Sequence, residues 1–172
     1  MPALAQRVYE ACHLTGRFTL RSGQVSSEYF DKYLFETQPR LLRELATVMA
    51  PLVRERDSLA GMELGGIPIA TVISQLTGTP TLFVRKTAKA YGTARLVEGA
   101  EVVGRRLVVI EDVVTTGGAL LDSCRALRRL GAVIETVVCA IDREQGGYQN
   151  LAAEGLELRS ALTRTDLEAH LS

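Results

Sequence analysis

In VVIEDVVTTGGALL, residues 108 to 121, two carboxylates follow an apolar run, and two hydroxyls and two glycines come before the chain turns apolar again. Acids repel phosphate, whereas a turn such as Thr115-Thr116-Gly117-Gly118 suits it: free N–H groups at a helix start attract an anion, and glycine lets backbone approach it. The pattern is neither the GxxxxGK[ST] loop of nucleoside triphosphatases nor the GxGxxG of dinucleotide binders. A glycine-rich strand-to-helix turn with an acidic cap is the ordinary reading of a lone TTGG. Against it stand Glu111 and Asp112, whose desolvation at the end of a buried strand is costly unless something pairs with them. A ligand with vicinal hydroxyls beside a phosphate answers both needs, the carboxylates accepting from the hydroxyls and the turn holding the phosphate.

The rest of the chain reads as a scaffold for such a turn. Its 172 residues suffice for one domain with a proper core. Twenty Lys and Arg against twenty Asp and Glu leave no net charge, so no nucleic-acid or anionic-membrane partner is expected and any phosphate affinity must be local. MPALAQRVYEACHL lacks the apolar core of a signal peptide, and no run is long enough to span a bilayer, so a cytoplasmic protein is expected. Cys12, Cys124 and Cys139 lie apart in apolar surroundings and read as small core residues in a reducing compartment.

Leu4, Val8, Ala11 and Cys12 predict a first helix ending near Gly16; residues 18 to 36 predict strand, turn and strand around Ser22-Gly23; and 39 to about 54 predicts a helix that Pro51 bends or breaks. A rhythm of apolar run, glycine turn and helical pattern follows: LAGMELGG into IPIATVISQLTG capped by Gly78, TLFVRK, RRLVVIED into GGALLDSCRALRRLG closed by Gly131, then AVIETVVCAIDRE. The strand before TTGG is read as ending at Glu111-Asp112. Strands apolar on both faces and alternating with helices imply an α/β fold with a central parallel sheet flanked by helices. LELRSALTRTDLEAHLS predicts a last strand and a helix capped by Thr165 or Asp166.

An apolar strand, two acids, two apolar residues and TTGG resemble the phosphoribosyl pyrophosphate (PRPP) motif of the type I phosphoribosyltransferases. The resemblance implies that fold, with a small hood from about 1–35 and 156–172 over a core of about 36–155 in a single domain. It implies that Glu111 and Asp112 hold the ribose hydroxyls and stabilise positive charge at the anomeric carbon, while Thr115, Thr116, Gly117, Gly118 and Ala119 hold the 5′-phosphate. GMELGGIPIA resembles the family's pyrophosphate loop, at Glu63, Leu64, Gly65 and Gly66; many relatives carry a lysine there, and Gly65 takes its place.

Three further stretches resemble the orotate-specific branch of the family. FVRKTAKAYGTARLVEG matches its RKxxK loop, which implies that Arg85, Lys86 and Lys89 bind pyrophosphate, that Lys89 assists its departure, and that the loop reaches a neighbouring subunit in a homodimer. Tyr91 stands where histidine is frequent, and a phenol with a pKa near ~10 is a poor acid at neutral pH. FTLRSGQVSSEYFD matches the orotate-binding segment, placing Arg21, Tyr29 and Phe30 around the base with Thr115, and stacking suits a flat pyrimidine. AIDREQGG carries a DR pair whose Arg143 would bind the base's carboxylate with its forked guanidinium. The implied reaction transfers phosphoribose from PRPP to orotate, with Mg²⁺ carried by substrate oxygens and water and Asp112 reaching it at most through water. Two rivals share the motif: a phosphoribosyltransferase for another base, and a non-catalytic nucleotide sensor with the same fold.

Overall fold

The computed structural model describes residues 3–19, 23–53, 58–88 and 96–171. After α1 (Leu4–Cys12), β1 (His13–Thr19) and β2 (Val25–Phe30) form an antiparallel hairpin, and α2 (Tyr33–Glu36) leads to α3 (Pro39–Met49). The core alternates β3 (Ser58–Met62), α4 (Gly66–Thr77), β4 (Thr81–Val84), β5 (Val97–Glu98), β6 (Arg106–Val114), α5 (Gly118–Arg129), β7 (Val133–Asp142), α6 (Gly147–Ala153), β8 (Glu157–Thr163) and α7 (Arg164–Glu168). Its six-stranded sheet has the order β5-β4-β3-β6-β7-β8 and is parallel except for the short edge strand β5. The mixed α/β fold with a mostly parallel central sheet is the one expected.

Both faces of the sheet are covered, which is why its strands are apolar throughout. Leu107 and Val109 pack with Leu120, Cys124 and Leu127 of α5 on one face; Val108 and Ile110 pack with α1, α3 and α4 on the other. β6 and β3 are the central pair, so the turn after β6 stands on the best supported part of the sheet. The three cysteines are buried and free, and burial pushes the Cys12 and Cys124 thiols up to about 12. No helix among the described residues is long and apolar enough to cross a membrane.

Some boundaries differ from the sequence expectations. α1 stops at Cys12 rather than near Gly16, because His13 is already extended (φ −80°, ψ 117°) and pairs with Phe30. α3 ends at Met49 and Pro51 sits in a short 3₁₀ turn, the break its missing N–H invites. β6 runs two residues past Asp112, since Val113 and Val114 still pair with β7. The cap of α7 is Thr163, not Thr165 or Asp166: its side chain accepts from the Asp166 N–H and the Asp166 carboxylate accepts from the Thr163 N–H.

Candidate active site

Asp112 continues the row of Val108 and Ile110 and is fully buried near the carboxyl end of β6. Its carboxylate meets the turn into α4. A Cβ on Gly65 would come within 1.9 Å of Asp112 Oδ2 and 2.5 Å of Glu36 Oε1, so this turn reaches the carboxylates only because residue 65 has no side chain. Lys32, just before α2, places Nζ 2.6 Å from Asp112 Oδ2. Val113 N–H donates to Asp112 Oδ1 at 2.6 Å, and Asp112 N–H donates to Glu111 Oε1 at 3.0 Å.

Four ionisable groups thus share one crevice, and their environments drive them apart. Burial opposes the Asp112 charge, but bonds from Glu111, Lys32 and Val113 outweigh it and hold its pKa below the usual value. Burial and then the neighbouring Asp112 raise Glu111 well above the carboxylate range. Burial followed by Asp112 also raises Glu36, to about 8, so near neutral pH Glu36 holds a proton beside an ionised Asp112. Lys32 loses by burial and gains more from Asp112, so its ammonium is strengthened.

After β6, Gly117 takes φ +77°, a left-handed turn that glycine tolerates, and caps α5. Thr115, Thr116, Gly118 and Ala119 are exposed at this turn, and Asn150 Nδ2 donates to the Thr116 carbonyl at 2.9 Å. The turn therefore presents hydroxyls and helix-start N–H groups beside Glu111-Asp112, an arrangement able to take a phosphate and hydroxyls together.

At the end of β7, the Arg143 N–H donates to the Val114 carbonyl at 2.8 Å, which ties that arginine to the same crevice. Its guanidinium carbon lies 5.6 Å from the centroid of Phe30, and its buried Nε has no hydrogen-bond partner among the described residues. Tyr29, Phe30 and Arg143 line a cavity of about 240 Å³ with His13, Ser26 and Arg164. Tyr29 is stacked on Phe18, centroids 5.5 Å apart.

Glu63 and Leu64 complete the turn before α4, joined by a cis peptide. The Glu63 carboxylate accepts from the Lys86 N–H at 2.9 Å and so fastens this turn to the cationic stretch after β4. Arg85 Nε is paired with Glu98 Oε1 at 3.0 Å, while Lys86 is exposed. Arg21, Lys89 and Tyr91 lie outside the described residues.

Two members of the cluster, Lys32 and Glu36, were not singled out from sequence. Their spacing of four in DKYLFE, directly after Tyr29-Phe30, was the available signal, but such pairs usually mark a solvated helix face.

A model of the phosphoribosyl transferase domain matches residues 35–154. Orotate phosphoribosyltransferase from Nocardioides sp. is 56% identical over 96% of this chain and 93% of its own, and the Halobacterium salinarum enzyme of that name is 42% identical over 88% and 87%. The crystal structure of Mycobacterium tuberculosis orotate phosphoribosyltransferase with Fe(III) dicitrate superposes with a TM-score of 0.84 at 36% identity, covering 95% of this chain and 96% of that one. The same protein in complex with PRPP gives 0.80 at 32% identity over 95% and 96%.

Proposed function

Since the chain belongs to the orotate phosphoribosyltransferases, we propose that it transfers the 5-phosphoribosyl group of PRPP to a ring nitrogen of orotate, releasing pyrophosphate and forming orotidine 5′-monophosphate. The observation that carries this reading is the meeting, at one end of the sheet, of an ionised Asp112, the TTGG turn and an arginine whose Nε has no partner among the described residues.

The residues divide the ligands between them. Thr115 to Ala119 receive the 5′-phosphate, and Glu111 and Asp112 receive the ribose hydroxyls. As the bond to pyrophosphate lengthens, positive charge gathers on the ribose ring, and the ionised Asp112 stabilises it within a partly desolvated crevice. Burial and the neighbouring Asp112 raise the Glu111 pKa, and a ribose hydroxyl donating to it would favour its carboxylate form. Arg143 grips the orotate carboxylate with Phe30 and Tyr29 beside the ring, and Thr115 and Arg21 complete the acceptor's surroundings. Lys89, with Arg85 and Lys86, serves the departing pyrophosphate, from a loop shared across a homodimer.

Phosphoribosyltransferases generally use Mg²⁺ with PRPP. The described residues hold no group of three or more acidic, histidine or cysteine side chains able to bind a metal. Mg²⁺ arriving with the donor would take its shell from substrate oxygens and water, and Asp112 would be the residue to meet it through water. Bound there, Mg²⁺ would neutralise charge on the leaving pyrophosphate. The cytoplasm is the expected site of action.

Initial rates with PRPP, Mg²⁺ and orotate, with uracil, adenine and hypoxanthine as parallel acceptors, test this reading. Pyrophosphate release and orotidine 5′-monophosphate formation with orotate alone are expected. Transfer to another base in preference to orotate would overturn the acceptor assignment, and tight PRPP binding without transfer to any base would favour a nucleotide sensor.

A further inference from the structure

The turn Glu63–Gly66 meets the crevice without a cation of its own: its acid is engaged with the Lys86 N–H, and Gly65 faces two carboxyl groups. Glu36 and Asp112 face this corner, and a multiply charged anion arriving at the start of α4 would meet the negative charge of Asp112. What offsets it is Lys32. Its Nζ lies 2.6 Å from the same Asp112 Oδ2 that a Gly65 Cβ would touch, so the ammonium stands at the turn itself. The side chain is 36% exposed while its partner is fully buried, so the ammonium sits where the buried pair opens to the crevice. Glu36 Oε1, which a Gly65 Cβ would also meet, closes the other side.

We propose that Lys32 binds the pyrophosphate of the donor at the Gly65 turn, exchanging its contact with Asp112 for phosphate oxygens as the ribose hydroxyls take over that carboxylate. This rests on the phosphoribosyl-transfer reading of the same site and adds a residue to it. The exchange keeps both partners satisfied: Asp112 trades one donor for hydroxyl donors, and the ammonium trades one carboxylate oxygen for several phosphate oxygens. It also fits the lack of a side chain at residue 65, since one there would displace Asp112 and Glu36 from their places beside the ammonium.

Titration calorimetry with three ligands separates this role from a purely structural one. PRPP and inorganic pyrophosphate carry the group Lys32 would bind; ribose 5-phosphate carries the hydroxyls and 5′-phosphate without it. Lys32→Met should weaken PRPP and pyrophosphate by ~10- to 100-fold, as loss of a charged hydrogen bond does, and leave ribose 5-phosphate unchanged or tighter because Asp112 is freed. Lys32→Arg should restore most of the pyrophosphate affinity. Lys32→Gln keeps a donor for Asp112 without the charge and should give the same ordering where the methionine variant does not fold. Equal weakening of ribose 5-phosphate, or unchanged pyrophosphate binding, in a folded variant would overturn the Lys32 assignment alone. A wild-type chain that binds neither PRPP nor pyrophosphate would overturn the phosphoribosyl-transfer reading as well.

Discussion

Asp112, assigned to the donor, is fully buried at the end of a central strand, whereas Tyr29, assigned to the acceptor, is 44% exposed on a hairpin that forms its own two-stranded sheet. The residues assigned to the donor's ribose and 5′-phosphate lie on β6 and its turn, flanked by parallel strands on both sides and by helices on both faces. The acceptor residues meet across two separately hydrogen-bonded sheets, with Arg143 after β7 and Phe30 at the end of β2. Reaction at an anomeric carbon asks for fixed charge, which a rigid strand end supplies; admitting and releasing a flat base asks for a wall that yields. Variants on the two sides should therefore fail in different ways.

The largest effect is expected from Asp112→Asn. Removing the ionised carboxylate should lower kcat/KM by ~10²- to 10³-fold, the range seen when one group aimed at developing charge is lost. Orotate binding measured in the absence of PRPP should change little. A parallel loss of orotate affinity would show that the two halves are one unit.

Arg143→Ala probes the opposite side. Loss of a charge-assisted bidentate contact should raise KM for orotate by ~10- to 100-fold, with KM for PRPP nearly unchanged. Equal rises for both substrates would contradict the division of the crevice.

The sequence made the donor half legible because its residues are contiguous: strand, acids, hydroxyls and glycines follow one another in VVIEDVVTTGGALL, and only the strand's end was misjudged. Glu111 and Asp112 look like a matched pair in the sequence, yet the opposite directions in which their pKa values move depend on Lys32, Val113 and the burial of each, which only the fold supplies. Lys32 and Glu36 lie some eighty residues before Asp112 in the chain, and nothing local to DKYLFE announces that α2 ends against β6. The acceptor half was readable as residue types, an aromatic pair and an arginine, while the contact between Phe30 and Arg143 was not.

Gly65→Ala tests how tightly the donor half is built. Its new Cβ would fall 1.9 Å from Asp112 Oδ2, so the turn or the carboxylates must move. Overpacking of this kind costs about 1–3 kcal/mol, which for a chain of this length lowers Tm by roughly 2–12 °C. PRPP affinity should fall with it. Tyr29→Ala, on the exposed hairpin, should lower Tm by less than Gly65→Ala, and the reverse order would mean that the hairpin, not the strand end, is the rigid partner.

A last effect concerns pH. Glu36, facing Asp112, Lys32 and Asp31, keeps its proton to about 8 in the folded chain, against an ordinary value of 4.5. Between those values the folded state holds a proton that the unfolded chain has released, so this group's contribution to stability declines as pH rises through the window and levels off above it. For one proton the slope is at most roughly 1.4 kcal/mol per pH unit. Glu36→Gln removes that share of the decline, so its Tm should fall less than that of the wild type between pH 5 and pH 8 by thermal unfolding, with pH chosen to bracket the window. Glu111, raised in the same sense, remains in the variant and keeps part of the slope. Arg143→Ala lies outside this cluster and should retain the wild-type slope in full. A Glu36→Gln curve parallel to the wild type would mean that Glu36 is ionised beside Asp112 and that Lys32 alone balances both charges.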